Sequence, residues 1–188
     1  MRLFILLITF SFTSWSLELK VGDILLQPLH CYACNLIEAQ TQSEYSHIGV
    51  VIKKEEGNVF VAEAFGKVKV VSFKKFNQKT QKGLKIEVLR PRYVNHEIYT
   101  TYLNYFDSKP YDSNFLWSDE KIYCSELVQK LFVKLSMTAP KEKPMTFDIN
   151  RELWDKFFRG NTPEGHLGIS PVDFKNSNLY IELGFYEN

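Results

Sequence analysis

The stretch HIGVVIKKEEGNVFVAEAF, residues 47–65, leaves the chain little freedom in how it folds. His47 to Ile52 is a strongly apolar run rich in β-branched residues. Lys53 to Gly57 is polar and ends in glycine, and Asn58 to Phe65 returns to apolar residues. That pattern specifies two antiparallel strands joined by a turn. Further strands are expected at residues 17–27, 67–73 and 84–89, the last closed by Pro91. Residues 33–41 suit a short helix. Beyond Pro91 the periodicity becomes helical. Residues 94–106 read as a helix with Tyr99, Tyr102 and Tyr105 near one face. A second helix opens near Cys124, where Leu127, Val128, Leu131, Phe132 and Leu135 recur at three- and four-residue spacing. Ser118 or Asp119 is placed to cap it. Pro140 and Pro144 mark a linker, residues 150–158 suit a short helix, and a last strand is expected near 179–186. Strands first and helices later predicts an α+β fold, an antiparallel sheet or small barrel packed against helices.

The 188 residues, 45% of them hydrophobic, suffice for one core, so a single domain over residues 17–188 is expected. The formal net charge is +1 and no long run carries one sign. With no Walker-type phosphate loop and no GxGxxG, nothing points to nucleic acid or a nucleotide cofactor. No cofactor is expected. Residues 1–16 have the layout of a signal peptide: Arg2, an apolar run from Leu3 to Phe12, and Ser14-Trp15-Ser16 at the cleavage point. The run is shorter than the roughly 20 residues of a membrane span. The expectation is therefore cleavage after Ser16, no stable membrane insertion afterwards, and a periplasmic or extracellular protein.

Export bears on the thiols, because an oxidising compartment favours disulfides. Three cysteines cannot all pair. Cys31 and Cys34 are close enough to bond locally. The alternatives are two reduced thiols, a redox CxxC, or a metal site with His30; no partner pair of ligands is evident, and no metal is expected. A Cys31–Cys34 disulfide leaves Cys124 free. His96 and His166 lie in polar surroundings and read as solvated.

A free thiol at a helix start needs a reason. In the first turn it feels the positive end of the helix dipole, which favours thiolate. If Ile52 and Asn58 close the hairpin, His47 lies directly opposite Glu63, with Cβ atoms about 4.5–5.5 Å apart. A one-residue slip would pair His47 with an alanine instead. Sulphur, imidazole and carboxylate are the parts of a thiol nucleophile with its base and the group that orients it.

The motifs YSHIGVV (Tyr45–Val51), VAEAFG (Val61–Gly66) and IYCSELV (Ile122–Val128) resemble those of the permuted papain-like, NlpC-type cysteine amidases, in particular the YiiX-like group. VGDILLQ (Val21–Gln27), PYDSNF (Pro110–Phe115) and ISPVDF (Ile169–Phe174) are similar to that group as well. The resemblance implies the chain order His, acidic residue, Cys. By motif, Cys124 matches the nucleophile, His47 the base and Glu63 the orienting carboxylate. Tyr123 matches a tyrosine beside the nucleophile; with Ser125 it is a candidate oxyanion or substrate-binding residue. The implied function is an exported bacterial hydrolase acting on an amide, such as a cell-wall peptide or a small aminoacyl amide. Relatives of this fold that act on lipid esters supply a second reading, and a binding module that has lost catalysis a third. Cys31 and Cys34 depart from the family pattern.

Overall fold

A computed structural model describes residues 17–186. The expected signal peptide lies outside the described residues. Six strands form one sheet: β1 (Ile24–Gln27), β2 (His47–Glu55), β3 (Asn58–Phe65), β4 (Lys67–Ser72), β5 (Glu87–Pro91) and β8 (Tyr180–Phe185). Their order is β4-β3-β2-β1-β5-β8, and every neighbouring pair is antiparallel. The helices are α1 (Tyr32–Thr41), α2 (Phe73–Asn77), α3 (Ile98–Tyr105), α4 (Cys124–Lys134), α5 (Arg151–Phe157) and α6 (Pro171–Lys175). Two-residue strands β6 (Lys143–Pro144) and β7 (Leu167–Gly168) make a small separate ribbon. The expected α+β class, an antiparallel sheet against helices, is what the chain adopts.

Alternation along the strands separates two apolar cores. On one face Ile24, Leu26, Ile48, Val50, Ile52, Ala62 and Ala64 meet Leu127, Val128, Leu131 and Phe132 of α4. On the other face Leu25, Val51, Val61 and Val88 close over Phe76 of α2.

The hairpin register differs from the expected one. The strands turn at Glu55↔Asn58, not Ile52↔Asn58, because Glu56 (φ 49°) and Gly57 (φ 78°) both adopt the left-handed conformation of a two-residue hairpin turn. The register shifts between Val51 and Lys53, and beyond it Gly49 pairs with Glu63. His47 is thus displaced by two residues from the position opposite Glu63. Because strand faces repeat every second residue, the two side chains still share a face.

Helix α4 opens at Cys124, as expected, but its cap differs. Neither Ser118 nor Asp119 caps it; Asp119 instead pairs with Lys130 (2.7 Å). The cap is extended Tyr123 (φ −97°, ψ 172°), whose N–H donates to the Glu126 carboxylate at 3.2 Å. The chain reaches that cap through a bridge between Tyr111 and Ile122 and a turn in which Asp112 accepts N–H bonds from Asn114 (2.9 Å) and Leu116 (2.6 Å). Helix α2 begins at the end of the strand expected at 67–73, and α6 lies where no element was expected.

Candidate active site

The site begins where β2 and β3 part. Val51 bonds to the β1 side: its N–H donates to Asp23 O (2.8 Å) and its carbonyl accepts from Gly22 (2.7 Å). Backbone groups alternate sides along a strand, so those of Ile48 point towards β3. Yet pairing of β2 with β3 ends at Gly49↔Glu63, while β3 continues with β4 to Phe65↔Lys67. The Ile48 N–H therefore has no strand partner there, and it is one of the groups that lower the Cys124 thiol. Cys124 opens α4, which packs on the face of β2 that carries Ile48.

His47 is the first residue of β2 and its side chain is buried. Its Nε2 is 2.9 Å from Glu63 Oε2. A carboxylate only accepts, so Nε2 carries the proton and Nδ1 of the neutral ring is free to take one. The ring stacks on Phe76 (centroids 5.7 Å) and meets the edge of Phe65 (5.8 Å). Gly49 makes room for this packing, since a Cβ there would come within 2.7 Å of both Phe76 and Val61. Burial pushes the imidazole below its ordinary range, and the Lys79 and Lys69 charges add to that against the pull of Glu63. Burial would raise Glu63, but hydrogen bonds and charges from His47 and Lys79 outweigh it and hold the carboxylate below its usual range.

Lys79 was absent from the sequence-based candidates. It bonds Glu63 Oε2, and Lys69 Nζ stands 4.0 Å from Oε1. No spacing signal marked it, because it follows a five-residue helix that the periodicity did not reveal.

Cys124 is buried, 4% exposed. Burial raises its thiol to about 11, against the N–H groups of Ser125, Ile48 and Cys124 itself and the Ser125 hydroxyl, which all lower it. This corrects the expectation of a resting thiolate: desolvation exceeds the helix-end field. At rest the site holds a thiol and an uncharged ring, and proton transfer must accompany attack.

Tyr123 and Ser125 flank the nucleophile, but their polar groups are turned to a neighbouring segment. The Tyr123 hydroxyl accepts the Ile169 N–H (3.0 Å), and the Ser125 hydroxyl donates to the Ile169 carbonyl (2.7 Å). Both fasten the start of α4 to the segment between β7 and α6. Cys31 and Cys34 form a disulfide at the N-cap of α1, the local pairing among the alternatives above. Cys124 is free. His96 and His166 are exposed.

Cys124, Tyr123 and Ser125 line a cavity of about 330 Å³. Its walls are largely apolar, including Ile37, Phe115, Met145, Phe147, Ile169 and Val172. Among the described residues, the only charged side chains on the lining, Lys143 and Asp173, pair with each other at 2.5 Å. Trp154 also lines it, and its buried indole N–H has no partner among the described residues.

The sequence matches, over residues 18–178, the family described as permuted papain-like amidase enzymes, YaeF/YiiX, C92 family. It is 30% identical over 155 residues to the uncharacterized protein YiiX of Escherichia coli (strain K12), covering 79% of this chain and 76% of that one. The crystal structure of YiiX from Escherichia coli O157:H7 superposes with a TM-score of 0.78 at 27% identity, covering 87% of this chain and 96% of that chain. That protein is described as a metalloprotein. Here, among the described residues, no group of three or more His, Cys, Asp or Glu side chains is arranged to hold a metal. Glu63 already meets an imidazole N–H and two ammonium groups. These residues do not fit a metal, and no step below uses one.

Proposed function

This chain belongs to the permuted papain-like amidase family and is a cysteine hydrolase of that kind, and we propose that it cleaves an amide bond through Cys124, His47 and Glu63. The observation that carries the reading is the His47 imidazole fixed by the Glu63 carboxylate at the first residue of β2, with Cys124 at the first turn of the helix packed on that strand. His47 Nδ1 takes the thiol proton as sulphur attacks the carbonyl carbon. Backbone N–H groups at the first turn of α4 receive the developing oxyanion. The C–N bond breaks, the leaving nitrogen takes the proton from His47, and a thioester remains on Cys124. Water, deprotonated by His47, then releases the carboxylic acid and restores the thiol.

The substrate under this reading is a cell-wall peptide or small aminoacyl amide met outside the cytoplasm after export. The apolar cavity favours a second reading, in which the same three residues act on a lipid ester: a charged wall peptide would find only the mutually neutralised Lys143 and Asp173 there. Incubation of the protein with peptidoglycan fragments and, separately, with phospholipid vesicles, followed by mass analysis of products, decides between them. Amide cleavage of the fragments, absent in Cys124→Ser, is expected. Fatty-acid release alone supports the lipid reading, and equal turnover by C124S refutes both.

A further inference from the structure

The segment that follows α2 is fastened to the site with more bonds than a surface turn requires. Gln27, opposite His47 in the β1–β2 ladder, donates from Nε2 to the Phe76 carbonyl (2.7 Å) and to Thr80 Oγ1 (2.8 Å). Leu29 and Thr80 form a further bridge. Between these anchors stands Lys79. Its ammonium bonds Glu63 and lies 4.6 Å from the Phe65 ring centre and 5.2 Å from that of Phe76. Those are the two rings that flank the His47 imidazole. An ammonium held over aromatic faces against a carboxylate is a strongly localised charge.

We propose that Lys79 is a positioning residue of the reaction: its ammonium neutralises Glu63 in place, so that the carboxylate orients His47 without drawing a proton onto its free nitrogen. The inference rests on the triad reading above. The groups facing His47 are Glu63 from β3, Lys69 from β4, Lys79 from the segment after α2 and uncharged Gln27 from β1. Remove Lys79 and the buried negative charge is left with Lys69 at 4.0 Å and the imidazole. The imidazole becomes the nearest group able to compensate by taking a proton. A ring protonated at rest no longer accepts the thiol proton, so a base fit for neutral pH would work only at higher pH.

The test is the titration of the His47 ring by NMR in the full mature chain, its signal identified by loss in His47→Gln. Lys79→Met is expected to raise the midpoint by about one pH unit, and the acid limb of turnover with it. Lys79→Arg, which keeps the cation, should stay at the wild-type value. Lys79→Gln, which keeps a donor to Glu63 but no charge, should shift like K79M and serves if K79M fails to fold. A midpoint unmoved in folded K79M or K79Q overturns the proposal. The triad reading fails separately: a His47 midpoint that follows Lys79, with Cys124 alkylation indifferent to His47, keeps the electrostatic coupling and removes its catalytic meaning.

Discussion

Gly49 shows how a single residue sets the site. It pairs with Glu63 and leaves the space in which Phe76 lies against His47. A Gly49→Ala protein should lose about 1–3 kcal/mol of stability from overpacking, read by urea unfolding. An unchanged midpoint would show that Phe76 gives way freely. Nothing in the sequence pointed to this contact, because it joins residues of two separate elements. The His47–Glu63 pair and the place of Cys124 were legible, each for a local reason: a histidine and a carboxylate on one strand face, and a thiol at a helix start. The pair survived a register error of two residues since an even slip preserves the face. The thiolate did not survive, because burial, which depends on the whole fold, outweighs the helix end. Lys79 was illegible for a related reason: only the tertiary fold returns it to Glu63.

At the scale of elements, α4 was readable from its apolar spacing, and Leu127, Val128, Leu131 and Phe132 are all fully buried against the sheet. Its cap was not readable, since the capping group lies inside the helix. Glu126 is buried, accepts the Tyr123 N–H and pairs with Lys130 at 2.8 Å. Burial pushes its carboxyl up to about 7. A folded value above the unfolded one stabilises below the unfolded value and is lost as pH rises through the folded value. Wild-type stability should therefore fall between about pH 4.5 and 7 relative to Glu126→Gln, by a total of roughly 1–3 kcal/mol. Denaturant midpoints of the two proteins across that range measure it, and parallel curves would place the titration elsewhere. The strand end read at residues 67–73 hid α2, whose five residues are too few for a helical period to register.

For the whole molecule, the antiparallel sheet with helices behind it followed from the order of elements, and the family followed from three motifs spread along the chain. What lay beyond reach was how the parts meet: a histidine and a carboxylate where β2 and β3 part, and a thiol on a helix some sixty residues further on, belong to no single segment. The convergence of that sulphur with His47 is the central claim. A thiol near 11 is almost entirely protonated at pH 7, so it alkylates slowly unless a base takes its proton. The direct measurement is the rate of Cys124 carbamidomethylation by iodoacetamide at pH 7 in wild type and in His47→Gln, with Cys31 and Cys34 held in their disulfide. Wild type should label at least about tenfold faster than H47Q; equal rates in two folded proteins would contradict the account.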